Sequence, residues 1–349
     1  MLAAPADEHV SALNTLGARF IDLPMQSHGT NPLADLGLLW RFLRLIRRER
    51  PDVLLVYTAK PNVYGSLAGR WSGVPVVNNI AGLGSVFIKG GWLARLLASL
   101  YRLAFARSQR VFFQNPDDHL KFVDLGLVRS EQCAVLPGSG VNLQYFQSVP
   151  LPSLQRTEER NGQSTNDRRF RFLLVARLLK DKGIHEFAEA ARLLKSRYPL
   201  VEFALLGFKD KQNPNAVKEE QLTSWQERGW VIYWGSSSDV REQIALADCV
   251  VLPSYREGTP RALLEAAAMG RPLVTTDVPG CREVVRHGIN GLLCRPRNSQ
   301  DLADRMQEIL LMPAEQLAQM GQASRQLVQE RFDEQRVIDA YLKALENLR

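Results

Sequence analysis

Cysteine, histidine and long apolar runs are all scarce in this chain, and each scarcity excludes something. The four cysteines (Cys133, Cys249, Cys281 and Cys294) form no Cys-x-x-Cys pair and have no histidines at zinc-ligand spacing. That excludes a disulfide scaffold and a zinc module, and leaves reduced, buried residues of a cytoplasmic protein. No stretch approaches the roughly 18 unbroken apolar residues of a membrane-spanning helix. Residues 1–8 carry no basic flank ahead of an apolar run, so no secretory signal is expected. No Gly-x-Gly-x-x-Gly follows a strand-like run, which disfavours a nicotinamide enzyme. Of the histidines, His185 opens a zinc-protease-like His-Glu-Phe-Ala-Glu that ends in Glu189 rather than a second ligand. His119 reads as a helix-start residue, and His9, His28 and His287 as surface.

What is present describes a folded α/β protein. A chain of 349 residues fits two domains of roughly 150 each, and 45% hydrophobic with 23% charged residues is a globular balance. The net charge of +7 is unevenly placed. Residues 36–110 hold twelve Lys/Arg against two acids, Glu49 and Asp52, a local excess of +10. Residues 151–349 hold 29 bases and 27 acids, near balance. A one-sided basic excess points at an anionic partner. Nucleic acid is the weakest candidate, because exposed aromatics are not interleaved with the bases and no binding module is recognisable. Two helices in that region, 36–50 and 91–107, mix leucines and aromatics with arginines, the pattern of a helix lying on an anionic membrane surface and equally of a sheet-covering helix with a solvated face.

The polar, Pro- and Gly-containing stretch 151–169 reads as a linker between a first domain, 1–150, and a second, 170–330, with a C-terminal helical segment 331–349 packing back across them. After the linker, strand-like runs at 170–176, 201–206, 249–252 and 272–276 alternate with helices at 184–197, 260–269 and 302–311. This is the rhythm of a doubly wound parallel sheet. The first domain repeats it at 53–57, 75–77 and 111–113. It opens on a few strand-like residues and a helix near 9–16, and is expected to lack the buried first strand, Gly-rich turn and helix that begin such domains.

Ligands of doubly wound sheets sit at the carboxyl ends of strands, so motifs just after strands carry most weight. In Leu252-Pro253-Ser254-Tyr255-Arg256-Glu257-Gly258-Thr259-Pro260-Arg261-Ala262-Leu263-Leu264-Glu265, a strand ends, a loop carries Glu257 and Gly258, and Thr259 and Pro260 take the N-cap and first helical positions. The helix would aim its free N–H groups into the cleft, an anion site. Glu265, a turn and a half in, suits the vicinal hydroxyls of a ribose. The loop Ala176-Arg177-Leu178-Leu179-Lys180-Asp181-Lys182-Gly183 also follows a strand. Arg177 and Lys182 should face the same crevice, two cations placed for a diphosphate leaving group; Lys180 reads as solvated.

The Glu257-x7-Glu265 spacing, the Ala176–Gly183 loop, Thr275–Val285 and Gly288–Leu293 resemble the retaining glycosyltransferases of family 4. Lys60–Ser66, Ala81–Gly84, Phe113–Asp118 and Leu136–Asn142 are similar to its bacterial capsule, O-antigen and lipid-linked glycan branch. The resemblance implies the two-domain GT-B fold, two Rossmann-like parallel-sheet domains facing a cleft. It implies a nucleotide-sugar donor, most simply a UDP-sugar, with Arg177 and Lys182 on the diphosphate and Glu265 on the ribose. Glu257 and the Gly258-Thr259-Pro260 backbone would hold the sugar, and no cofactor or metal is implied. Glu257, Lys182 and Arg177 are thus the expected catalytic groups. Front-face attack by the acceptor hydroxyl, with the departing phosphate as base, would retain configuration. The implied acceptor is a polyprenyl-diphosphate-linked sugar or glycan, met at an anionic membrane surface through residues 36–110 on the cytoplasmic face of the inner membrane. Where many relatives place a sugar-contacting histidine this chain has Asn78-Asn79-Ile80-Ala81-Gly82, and where they often have Asp it has Asn142, so no general acid or base is assigned. The rival readings are a sugar-nucleotide 2-epimerase on the same architecture and an inactive nucleotide-binding remnant.

Overall fold

The structure is a computed structural model that describes residues 1–7, 10–25, 31–82, 92–154, 170–210 and 213–348. Two compact units emerge, Met1–Val135 with Leu342–Arg349, and Leu136–Tyr341.

The first unit opens with β1 (Leu2–Ala4), α1 (Val10–Thr15) and β2 (Phe20–Asp22), the two strands pairing in parallel. The Asn31 side chain accepts from the N–H groups of Leu33 and Ala34 and so caps α2 (Pro32–Glu49), with proline at the tolerant first position. Leu38, Phe42 and Ile46, four residues apart, give α2 its buried stripe. Next come β3 (Leu54–Tyr57), a π-helical turn over Pro61–Gly65, α3 (Ser66–Ser72) and β4 (Val76–Ile80). The unit continues through α4 (Trp92–Phe105), β5 (Arg110–Phe113), α5 (Pro116–Asp124) and β6 (Cys133–Val135). Strands β3 to β6 form one parallel sheet in chain order, and among the described residues β1 and β2 pair only with each other.

The second unit begins before the polar stretch that marks the boundary in the sequence. Residues 136–150 belong to it because they are nailed to it: Val141 and Phe146 join its core. The fully buried Arg271 donates to the carbonyls of Val149 (2.9 Å), Pro150 (3.1 Å) and Ala247 (3.1 Å). Asp248 accepts from the N–H groups of Ser153 and Arg171. Residues 155–169 lie outside the described residues.

Its elements are β7 (Arg171–Val175), α6 (Ile184–Lys195), β8 (Glu202–Leu206), α7 (Glu219–Glu227), β9 (Ile232–Tyr233), α8 (Arg241–Ala245) and β10 (Cys249–Leu252). After them come α9 (Arg261–Ala268), β11 (Leu273–Thr276), α10 (Cys281–Val284), β12 (Gly291–Cys294), α11 (Ser299–Leu311), α12 (Ala314–Arg331) and α13 (Glu334–Glu346), whose residues from Leu342 on are grouped with the first unit. All six strands are parallel, ordered β12-β11-β10-β7-β8-β9. Alternation along β7 makes two cores, one per face. Phe172 and Leu174 pack with α6 and α11, and Leu173 packs with α9. The chain runs outward from β7 to β9, then restarts at β10 on the other side of β7. The sheet therefore reverses direction between β7 and β10, which is where the crevice of a doubly wound sheet lies.

Candidate functional site

The loops leaving β7 and β10 carry the two motifs singled out in the sequence, and the structure interlocks them. The Tyr255 N–H donates to the Asp181 carbonyl (2.9 Å). Gly183, with φ 72, ends the β7 loop against Pro253, and a Cβ there would overlap the Pro253 carbonyl. A third loop, after β11, supports the second. The Glu257 N–H donates to the Pro279 carbonyl (3.2 Å), the Thr276 hydroxyl donates to the Ser254 carbonyl, and Gly280 (φ 84) lies where a side chain would overlap the carbonyls of Glu257 and Gly258.

At this junction the Lys182 ammonium lies 2.5 Å from Glu257 Oε1, and the Ser254 hydroxyl donates to the same oxygen at 2.7 Å. Both ionised side chains are largely buried, at 17% and 13% exposure. The pair bridges β7 and β10 across the switch point. Arg177 does not join it in any described contact. Its half-exposed guanidinium leans towards Asp210, beyond β8, at 3.9 Å. The two cations straddle the end of β7, Lys182 on the β10 side and Arg177 on the β8 side.

The start of α9 differs by one residue from the sequence expectation. Pro260, with extended backbone, occupies the N-cap position, its carbonyl accepts the first helical bonds from Leu263 and Leu264, and the helix begins at Arg261. Thr259 is instead buried against Gly138, whose missing Cβ makes room for it.

Glu265 opens on a cavity of about 530 Å3 within the second unit, lined also by Asn142, Tyr145, Asp239, Arg261 and Glu334. Arg261, one turn earlier, reaches it at 3.2 Å. Burial raises the Glu265 carboxyl above its ordinary range, with Arg261 partly opposing. Hydrogen bonding by Arg241 holds Asp239 well below the usual carboxylate range, and the Arg241 guanidinium stacks 3.7 Å from the Tyr145 ring centroid. Asn142 donates to Glu334 at 2.7 Å. Asp239 is paired with Arg241, Glu265 with Arg261, and Glu334 accepts from Asn142, so the wall offers carboxylate oxygens to hydrogen-bond donors such as hydroxyl groups. The site thus divides chemically: cations beside β7 for an anion, carboxylates in the Glu265 cavity for hydroxyls.

Ser254 and Thr276 were missed as supports of Glu257, although Ser254 stands inside the quoted motif. Tyr145, Asp239 and Glu334 were missed because their sequence neighbourhoods carry no strand-then-helix signal. Among the described residues no group of three His, Cys, Asp or Glu comes together to hold a metal ion. His185 stacks edge-on against Trp225 and meets Gln221 at 3.4 Å, His119 packs on Phe113 in the first turn of α5, and His287 accepts from the Leu293 N–H. His9 and His28 lie outside the described residues.

Two family models tile the chain: the glycosyl transferase 4-like domain over residues 1–138, and glycosyl transferases group 1 over residues 155–327, the span that includes the Lys182–Glu257 junction. Similarity to the N,N'-diacetylbacillosaminyl-diphospho-undecaprenol alpha-1,3-N-acetylgalactosaminyltransferase of Campylobacter jejuni is 31% identity, covering 97% of this chain and 88% of that one. This chain belongs to the group 1 glycosyltransferases. The UDP-Gal:alpha-D-GlcNAc-diphosphoundecaprenol alpha-1,3-galactosyltransferase of Escherichia coli is 25% identical, over 78% of this chain and 69% of that one. Among solved structures, Anabaena Alr3699/HepE in complex with UDP and glucose superposes with a TM-score of 0.80 at 21% identity, covering 99% of this chain and 91% of that one. The glycosyltransferase fold is therefore GT-B, and the enzyme class is established at the level of the family.

Proposed function

We propose that this glycosyltransferase moves a sugar, with retention of configuration, from a UDP-sugar to a polyprenyl-diphosphate-linked sugar or glycan of a bacterial surface polysaccharide. The observation that carries the reading is the Lys182–Glu257 pair at the switch point between β7 and β10. Lys182 and Arg177 take the diphosphate, Glu257 with the Gly258-Thr259-Pro260 backbone takes the sugar, and Glu265 accepts from the ribose hydroxyls. As the glycosidic bond breaks, charge grows on the departing phosphate, and the cations beside β7 with the amino end of α6 stabilise it where a metal otherwise would. The acceptor hydroxyl attacks from the same face and the leaving phosphate takes its proton. The acceptor class is supported by the diphospho-undecaprenol substrates in the names of the Campylobacter and Escherichia relatives.

Such an acceptor places the enzyme on the cytoplasmic face of the inner membrane, and α2 has the surface for it. Leu33, Leu36 and Trp40 are exposed and in line with Arg44 and Arg47, and the Arg44 guanidinium lies 5.4 Å from the Trp40 ring centroid. The second basic helix contributes less than its sequence suggests. Arg102 of α4 donates to the carbonyls of Leu125 and Gly126 at the end of α5. No described helix is long and apolar enough to cross a membrane.

The test is incubation with UDP-, GDP- and dTDP-sugars and a synthetic prenyl-diphosphate sugar, with the product's anomeric coupling read by NMR. The reading expects one UDP-sugar to give a product of the donor's configuration. An inverted product, or isomerised nucleotide-sugar without transfer as a 2-epimerase would give, refutes it.

A further inference from the structure

Two side chains at the carboxyl edge of the second unit's sheet have no role in the account so far: Tyr255, inside the motif after β10, and Glu186, in the first turn of α6. They meet. The Tyr255 hydroxyl donates to Glu186 Oε1 at 2.7 Å. The other carboxylate oxygen, Oε2, is shielded from solvent and has no hydrogen-bond partner among the described residues. A carboxylate drawn out of water is thus held by one phenol.

Tyr255 is itself fixed at three points. Its N–H donates to the carbonyl of Asp181, one residue before Lys182, and it stands two residues before Glu257. Its hydroxyl is the bond to α6. Its ring lies against the Arg297 guanidinium, 4.6 Å from the centroid. Arg297 comes from the turn after β12 and has φ 58, a left-handed backbone that residues other than glycine seldom adopt. Burial, then the hydrogen bond to Glu186, raises the Tyr255 phenol above its ordinary range, so it stays a donor at neutral pH.

Glu186 stands where a negative charge has consequences. It is the third residue of α6, and no side chain caps the amino end of that helix. A glutamate at the third helical position ordinarily reaches back to the first N–H groups, and the positive end of the helix dipole attracts it. In this protein such a carboxylate would occupy the donors that a phosphate needs and would oppose the charge of the phosphate. The bond from Tyr255 ties it to the β10 loop instead, and Arg297 sets a positive charge against the same ring.

We propose that Tyr255 is a positioning residue of the donor site: its hydroxyl holds the Glu186 carboxylate away from the amino end of α6 and leaves that end to the diphosphate. The assignment rests on the reading given above, in which Lys182 and the amino end of α6 take the diphosphate. It gives the hydroxyl a purpose of its own, since the stack against Arg297 needs only the ring.

The test titrates UDP and uridine by calorimetry into the wild type, Tyr255→Phe, Glu186→Gln and Tyr255→Phe/Glu186→Gln, with thermal unfolding of each. Tyr255→Phe keeps the ring and should weaken UDP about tenfold while uridine binds unchanged. Glu186→Gln should bind UDP at least as tightly as the wild type. The double variant should recover most of the affinity lost in Tyr255→Phe, because the released side chain no longer carries a charge. A mere brace would lower the melting temperature, weaken both ligands together and show no recovery. Where the wild type binds UDP more tightly than uridine, three results each overturn the assignment: unchanged UDP affinity in Tyr255→Phe, a matching loss of uridine, or no recovery in the double variant. Weaker UDP binding by Glu186→Gln overturns it too, and that readout stands whether or not Tyr255→Phe folds. A wild type that binds UDP no more tightly than uridine overturns the diphosphate reading, and this assignment with it.

Discussion

Replacing Lys182 by methionine should expose what its ion pair with Glu257 does for stability and for chemistry separately. The two side chains are 17% and 13% exposed and 2.5 Å apart. Breaking a fully buried pair costs about 3–5 kcal/mol, because the remaining charge is left uncompensated. An exposed pair is worth about 0–1 kcal/mol. This pair lies between those limits, so Lys182→Met should destabilise the second unit by about 2 kcal/mol. For a unit of this size that lowers the melting temperature by roughly 4–8 °C. Glu257→Gln should act in the same direction. The double variant Lys182→Met/Glu257→Gln leaves no charge to strand and should recover most of the stability, a coupling of about 1–2 kcal/mol. Turnover should behave differently. Removing one fixed group that stabilises developing charge lowers turnover about 100- to 1,000-fold, and the double variant should not recover it. Thermal unfolding and donor hydrolysis on the four proteins read both effects. Additive losses in the double variant would refute the ion pair as a coupled unit, and recovered turnover would make it a structural brace rather than part of the donor site.

Other expectations follow from the same geometry. Glu265→Gln should weaken UDP about tenfold in calorimetry while uracil binds unchanged. Because burial raises the folded-state pKa of Glu265, wild-type UDP affinity should fall as pH drops through that raised value, and the Gln variant should not share the fall. By the same sign, the contribution of Glu265 to stability is largest below its unfolded pKa and is lost as pH rises through the folded one, so Glu265→Gln should be no less stable than wild type at neutral pH. Gly280→Ala forces a side chain into a left-handed position at about 1–2 kcal/mol and onto the carbonyls of Glu257 and Gly258, so turnover should collapse with a lowered melting temperature; wild-type turnover would sink the claim that this loop is held in register from behind. The wild type should pellet with phosphatidylglycerol vesicles at low salt and be released at high salt, and Trp40→Ser with Arg44→Gln and Arg47→Gln should pellet less, each arginine contributing about 1 kcal/mol. Equal pelleting with neutral vesicles removes the electrostatic part of that reading.

The sequence disclosed the second unit more fully than the first for a physical reason. Cys249–Leu252 is an unbroken apolar run between Asp248 and Pro253, because a parallel strand is buried on both faces, and its limits are visible in the composition alone. Two-residue β9 is too short for any period to register, and the glutamine-rich α12 hides its buried stripe behind Gly321 and Ser324. In the first unit, three-residue strands and a π-helical turn interrupt the rhythm. For the site, residue type and position after a strand were enough to select Lys182, Glu257 and Glu265. That Lys182 meets Glu257, from 75 positions away, while Arg177 leans to the other side of β7, is decided by strand order, which no local pattern carries. The basic stripe misled in one respect. Arg102 caps carbonyls at the end of α5, and sequence spacing does not distinguish such an arginine from a solvated one.

The central claim is that the loops at the β7–β10 reversal hold a diphosphate. Titrating UDP and uridine in parallel into the wild type and into Lys182→Met tests it directly. The account predicts that the variant weakens UDP about tenfold or more and leaves uridine unchanged, since only UDP presents phosphates to Lys182. Equal UDP affinity in the two proteins, or a matching loss of uridine, would contradict it.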